Sequence, residues 1–581
     1  MADGATALEP PVAVPQTPHL RAGAPVFPRV EAWMLVALSA AILALRIVYA
    51  FAYPFDSDEP QHLHVAWAWT KGLLPYRDVF DNHTPLFHML SAPLVALIGE
   101  TPRILVLMRL AMIPFFAATL LGSFLIGRRL FGRRAGLWSA ILCGLCPTFF
   151  FKSLEYRTDV LWTALWILAI VVLLGEGLGV VRGFCGGLLL GACLLVSLKT
   201  VMLLSALLIA SAALLVLAPR PAAASRQSTL AYTLSALGGL ALPPSALVLF
   251  FAARGALREL FYCTVTHNLL PGVGRWGTSK RTALLLPILA LLLCAARVIM
   301  RRFPGDGVRV AFLFLLAGSQ YLLLSTVWPV HTRQDLLPFY PLFTVLLAGC
   351  LLAHRGAGAP DGERRWNWIA PRAALVPAIL ASLELAVLPG LSPITGRGAA
   401  LQEKPLAEVL ALTHPDDYVL DLKGQAIFRN RPFYYALETM TLERMARGLI
   451  EDTIPERCVA TRTCVAPADI GGFPPRTRRF LQDNYVVVGA WRVAGRILDP
   501  APENLAGPLA FDVVIPARYA VVSGRGEAHG TLDGRAYDGP RDLGPGRHVF
   551  IPETGPGPLA VIWAQAAERG FSPFGETGEV L

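Results

Sequence analysis

The chain has 581 residues, of which 54% are hydrophobic and only 16% charged. Soluble domains carry roughly 25% charged residues, so an ordinary soluble protein is excluded and a membrane protein with polar parts attached is expected. The net charge of +10 does not point to nucleic acid. The arginines gather at the ends of apolar runs, where positive-inside topology and anionic lipid account for them.

Residues 1–28, rich in Pro and Ala, read as a disordered cytoplasmic tail. They lack the basic, apolar and cleavage regions of a signal peptide, so the first apolar run reads as a retained anchor. A crossing needs about 20 apolar residues. Runs at 32–53, 103–126, 134–151, 159–177, 229–252, 281–298, 309–327, 335–353 and 368–389 qualify. The stretch 183–217 holds one charge, Lys199, near its middle and has room for two short crossings.

Flanking charge sets the parity. Arg128, Arg129, Arg133, Arg134, Arg182, Arg220, Arg226, Arg301, Arg302, Arg364 and Arg365 all fall inside if 183–217 is a hairpin with Lys199 at its outer tip. The same rule makes "PLFHMLSAPLVALIGE" (85–100) a helix in the outer interface, or one that dips back, instead of a crossing. Eleven crossings follow, with the N-terminus inside and residues from 391 outside. The polar loops at 54–102, 152–159, Lys199, 253–280 and 327–335 then share the outer face.

The remaining chain divides into a mixed α/β region at 391–510 and a small β-sandwich-like module at 511–581. Asp533-Gly534 and Asp538-Gly539 are hairpin signals within that module. Most of the nine cysteines lie in or beside apolar runs, and the Cys143/Cys146 pair reads as small packing residues. Cys458 and Cys464 are candidates for a local disulfide if their region is extracytoplasmic. The overall fold class is mainly α, a polytopic membrane protein with an extracytoplasmic C-terminal region.

The first outer loop, "DSDEPQHLHVAWAWTKGLLPYRDVFDNHTPLFHML", is crowded with acids and histidines at the bilayer exit. A solvated loop is the plain alternative. Against it, Glu155, Asp159, Lys152, Arg157, Lys199 and Arg333 are all expected at the same depth. Ionisable groups there usually face a cavity. Carboxylates grouped with cations suit a reaction that activates a hydroxyl and expels a phosphate. At the membrane, the donor for such chemistry would be a lipid phosphate carrying a sugar.

These motifs resemble the GT-C glycosyltransferases, in particular the branch of protein O-mannosyltransferases and lipid A aminoarabinose transferases. The resemblance rests on Asp58-Glu59, on the stretch from Gly72 to Asp78, and on Pro85-Leu86-Phe87. "RLAMIPFFAATLLGSFLIGRRLFGRRAG" and "EYRTD" extend it over residues 30–350. It implies a GT-C transmembrane domain at 29–390, and the single compact chain with its Ala/Arg/Leu/Gly-rich usage points to a bacterial inner membrane. The implied reaction is inverting transfer from a polyprenyl-phosphate sugar to a protein, lipid or polysaccharide acceptor on the periplasmic face. Asp58 matches the aspartate facing the acceptor, as general base or as the group orienting the nucleophile. Glu59 is implied as its helper, and Asp159 as the second acid of the cavity.

Arg333 resembles the family's basic residue before a late span, and with Lys199 it is a candidate phosphate contact. Arg275 and Lys280 are further candidates, standing against the positive-inside trend. His83 is open to contacting phosphate or to ligating a divalent metal with His267, although two distant histidines make a poor metal signature. His62 and His64 read as loop-shaping residues. Two other functions compete: a flippase for a lipid-linked saccharide, which would need charges deep within several spans, and a glycan-binding envelope scaffold.

Overall fold

The computed structural model describes residues 29–175, 177, 179–218, 226–273, 284–302, 307–352, 374–498, 507–553 and 557–574. The proposed tail at 1–28, together with Arg275 and Lys280, lies outside the described residues. The first part of the chain is a bundle of apolar helices. They are α1 (Arg29–Ala52), α2 (Asp58–Thr70), α3 (Leu86–Ile98), α4 (Ile104–Leu110), α5 (Ile113–Phe131), α6 (Arg133–Leu145), α7 (Pro147–Lys152), α8 (Thr158–Leu173), α9 (Val180–Val196), α10 (Thr200–Leu217) and α11 (Arg226–Ala253). Helices Leu285–Arg302, Gly307–Thr326, Phe339–Leu352 and Leu375–Leu391 complete it.

Helix occupies described residues in each run expected to cross, while 281–283 and 368–373 lie outside the described residues. Among the described residues five segments, Arg29–Ala52, Ile104–Phe131, Thr200–Leu217, Gln227–Ala253 and Gly307–Thr326, are long and apolar enough to span a membrane by length and composition. The 183–217 stretch is broken into α9 and α10 with Lys199 at the break. The interfacial segment forms α3, only 13 residues long. Helices α9 and α11 meet backbone to backbone. A Cβ on Gly187 would strike the Ala236 carbonyl, and one on Gly239 would strike that of Phe184. Small residues at crossings allow such approach where no hydrophobic drive separates helix from lipid.

Among the described residues the C-terminal region carries ten strands: β1 (Val465–Pro467), β2 (Tyr485–Val488), β3 (Trp491–Leu498), β4 (Leu509–Val513), β5 (Ala517–Ser523), β6 (Gly530–Leu532), β7 (Arg535–Ala536), β8 (Arg541–Leu543), β9 (Gly546–Pro552) and β10 (Leu559–Trp563). A six-stranded sheet runs β1-β3-β10-β5-β8 with β2 also on β3, and a second sheet runs β4-β9-β6-β7. The first sheet thus draws strands from both sides of residue 511. Buried Tyr485, Ala494, Phe511, Tyr519, Phe550 and Val561 share the core of this region.

Of the two hairpin signals, Asp533-Gly534 joins β6 to β7 with φ of 50° and 75°. Both central residues of that turn need positive φ, which Asp-Gly tolerates. Asp538-Gly539 instead follows β7 and leads to β8 in the other sheet, so it is a crossover and not a hairpin. The disulfide expectation also needs correction. Cys458 and Cys464 are free, buried thiols, and Cys464 Sγ contacts the Arg462 carbonyl.

Candidate active site

The loop after α1 enters α2 through Asp56 and Ser57, and the helix opens with Asp58 and Glu59. Asp56 Oδ1 accepts from the Asp58 backbone N–H at 3.1 Å, and Glu59 Oε1 accepts from that of Asp56 at 2.9 Å. Carboxylates in a first turn also complement the positive end of the helix dipole. This local folding sends the adjacent acids in opposite directions.

Glu59 turns inward. Its carboxylate is fully buried and receives Arg109 Nε at 2.8 Å and Nη2 at 2.5 Å. It also accepts the Tyr156 backbone N–H at 2.9 Å. Arg109 donates onward to the Tyr53 and Pro54 carbonyls at 2.7 and 2.8 Å. Glu59 is therefore a clamp joining α2 to α4 and to the loop before α8, and it does not line the cavity beside Asp58. The expected helper role is corrected to a positioning one.

Asp58 turns outward into a cavity of 220 Å³. Arg157 Nη1 bridges Asp56 Oδ1 at 2.7 Å and Asp58 Oδ2 at 2.6 Å. The loop bearing Arg157 is anchored by buried Arg46 of α1, whose guanidinium donates to the Phe150 and Ser153 carbonyls at 3.0 and 2.7 Å. Lys423, from the C-terminal region, supplies a second cation to Asp58 at 2.8 Å. Burial by itself would raise Asp58, but Arg157 and Lys423 outweigh it and hold the carboxyl well below the usual range. Asp58 is thus a weaker base than an ordinary carboxylate.

Lys199 sits where α9 breaks into α10. Its Nζ lies 2.9 Å from Asp159 Oδ1 and 2.5 Å from Asp335 Oδ1. Burial disfavours the ammonium, yet these two carboxylates more than compensate and raise its pKa. Asp159 itself is buried and does not line the cavity; it acts there through Lys199 and through Arg157 Nε at 3.4 Å. Glu155 receives Lys152 at 2.5 Å. Burial and the neighbouring Glu59 charge nevertheless push Glu155 up to about 7, against the pull of Arg157 and Lys152.

Arg333 does not join this network. It lies exposed on the short turn Arg333–Leu336 and is absent from the cavity wall, whereas Asp335, two residues on, faces inward. Asp335 is aimed by a capping box, its Oδ2 accepting the Thr332 backbone N–H at 2.7 Å. That spacing, Thr-x-x-Asp ahead of a helical turn, was the available signal for it. Lys423 had no local signal. It rides on a turn in which Asp421 accepts the Gly424 and Ala426 backbone N–H groups at 2.6 and 2.9 Å. Gly424 has φ of 94°, and a Cβ there would meet the His64 side chain at 2.7 Å.

His83 lines the cavity and lies 3.1 Å from Asp81. His267 is buried and pairs with Glu438 at 3.0 Å. The two expected metal candidates thus hold separate carboxylates. Among the described residues, no group of three or more His, Cys, Asp or Glu is arranged to hold a metal ion.

No family model and no curated protein sequence matches the chain. Solved structures do. ArnT from Cupriavidus metallidurans in the apo state matches with a TM-score of 0.54 and 14% identity, over 80% of this chain and 98% of that one. The fold is the GT-C fold. The same ArnT bound to undecaprenyl phosphate matches with a TM-score of 0.52 and 12% identity, again over 80% and 98%.

Proposed function

We propose that the protein is an inverting glycosyltransferase of the bacterial inner membrane. It moves a sugar from a polyprenyl-phosphate donor to an acceptor hydroxyl on the periplasmic face. The observation that carries this reading is one cavity in which the Asp58 carboxylate meets Arg157 and Lys423, with Lys199 on the same wall. The GT-C fold supports it, as does the undecaprenyl phosphate held by ArnT.

Arg157, Lys199 and Lys423 are suited to a phosphate that gains charge as it leaves. In a single displacement the acceptor oxygen bonds to the anomeric carbon while the bond from that carbon to the phosphate oxygen breaks. The electron pair departs with the lipid phosphate, and the acceptor proton goes to a base in the cavity. Of the two roles expected for Asp58, its double pairing favours orienting the nucleophile and balancing positive charge at the anomeric carbon. A carboxylate held so far below its ordinary pKa removes protons poorly.

The test is transfer from undecaprenyl-phosphate-linked sugars by the full-length protein in detergent, with native envelope extract as acceptor. Asp58→Asn should abolish release of undecaprenyl phosphate while yield and melting temperature hold, and Asp159→Asn should abolish it with some loss of stability, because Asp159 is a buried partner of Lys199 and Arg157. Wild-type activity in both variants would refute the assignment.

A further inference from the structure

The cavity wall contains an Asp–His pair that the cation network leaves unused. Asp81 is fully buried, and its ion-pair partners among the described residues are two histidines. Its Oδ1 accepts the His83 backbone N–H and lies 3.1 Å from His83 Nδ1. Its Oδ2 lies 3.2 Å from His88 Nδ1. An ionised carboxylate only accepts, so His83 Nδ1 carries the hydrogen that faces Asp81. His88 Nε2 in turn lies 3.0 Å from His62 Nδ1.

For His83 the consequence is chemical. With Nδ1–H committed to Asp81, Nε2 keeps its lone pair on a side chain that is 21% exposed and lines the cavity. The carboxylates that share this wall are otherwise engaged. Asp58 holds two cations and Asp335 holds Lys199 at 2.5 Å. Glu438 accepts from the Met440 and Thr441 backbone N–H groups and faces His267. A buried carboxylate behind an imidazole also stabilises the imidazolium that proton uptake creates, as in acyl-transfer triads.

We propose that His83, held in one tautomer by Asp81, is the catalytic base that takes the acceptor proton at Nε2. The inference rests on the transferase reading. As the acceptor oxygen bonds to the anomeric carbon and the lipid phosphate leaves with its electron pair, the proton passes from that oxygen to Nε2. The resulting imidazolium pairs with Asp81 and later returns the proton to water. Asp58 orients the nucleophile and His83 deprotonates it.

The experiment compares wild type with His83→Ala, His83→Lys and Asp81→Asn in the same transfer assay. His83→Ala should lower kcat by about 10²–10⁴-fold, with KM for the donor within about two-fold of wild type. Free imidazole should restore part of the lost rate. Asp81→Asn should lower kcat in the same direction, and His83→Lys should stay inactive because an ammonium cannot take the proton. If His83→Ala fails to fold, His83→Gln, which can still donate to Asp81, carries the same expectation. Wild-type kcat in the Ala or Gln variant, a loss confined to donor KM, or full transfer by His83→Lys would overturn the assignment, the last two pointing to a phosphate contact. No sugar release by the wild type would instead overturn the transferase reading, and this inference with it.

Discussion

Lys423 Nζ and Asp58 Oδ1 lie 2.8 Å apart, although 365 residues separate them in the chain. The contact brings a turn of the C-terminal region over the first loop of the helical bundle, so the cavity has walls from both. Lys423 also touches Ser57 Oγ at 3.1 Å. Lys423→Met should lower kcat/KM by about ten- to a hundred-fold, equivalent to ~1.4–2.7 kcal/mol of transition-state stabilisation. Its melting temperature should stay close to wild type, because the pair is partly exposed. Unchanged kcat/KM would reduce Lys423 to a tether.

Glu59 and Asp58, adjacent in sequence, should behave oppositely. Glu59→Gln leaves the Arg109 guanidinium, which is fully buried, without its countercharge. Breaking a buried pair from one side costs about 3–5 kcal/mol, so the expected result is poor yield and a lowered melting temperature. Asp58→Asn should leave stability nearly intact and remove transfer. Thermal scans of the two purified variants check this, and equal melting temperatures would contradict it.

Removing Lys199 should expose the strain between the two carboxylates it joins. Asp159 and Asp335 are both buried, and without the ammonium they would face each other with the Arg157 guanidinium, its Nε 3.4 Å from Asp159, to offset their charge. Lys199→Met is expected to cost about 3–5 kcal/mol by the same one-sided loss. Lys199→Met combined with Asp335→Asn should recover most of that stability. Additive destabilisation in the double variant would show that the three groups do not form one unit.

Glu155 makes stability depend on pH near neutrality. Its folded pKa of about 7 lies above the ordinary carboxyl value of 4.5, raised by burial and by Glu59. The folded state therefore binds the proton more tightly, so its contribution is full below about pH 4.5 and is lost as pH rises through about 7. Wild type should melt several degrees lower at about pH 8.5 than at about pH 6, and Glu155→Gln should show a smaller difference. Parallel melting curves for the two proteins would refute the assignment.

Much of the architecture was readable along the chain because membranes impose a local rule. Each crossing must satisfy its own backbone within one helix and present apolar side chains. Run length therefore located helices from Arg29–Ala52 to Leu375–Leu391, and charge parity marked the break at Lys199. The Asp533-Gly534 turn was legible for a similar reason, since positive φ is a property of those two residues. The identical-looking Asp538-Gly539 misled, because whether a turn joins neighbours depends on which sheet each strand enters.

The candidate site divides along the same line. By itself the sequence determined that Asp58, His83, Asp159 and Lys199 would lie near one depth of the bundle, because hydropathy and charge set where each loop stands. Tertiary structure decided which way each side chain points and what it meets. It turned Glu59 onto Arg109, set Arg333 aside in favour of Asp335, and brought Lys423 to Asp58. It also put Asp81 behind His83. Hydropathy is a sum over neighbours in sequence and can be read from it. Ion pairs are made between groups distant in sequence, at a few ångströms, and only the folded chain fixes those separations.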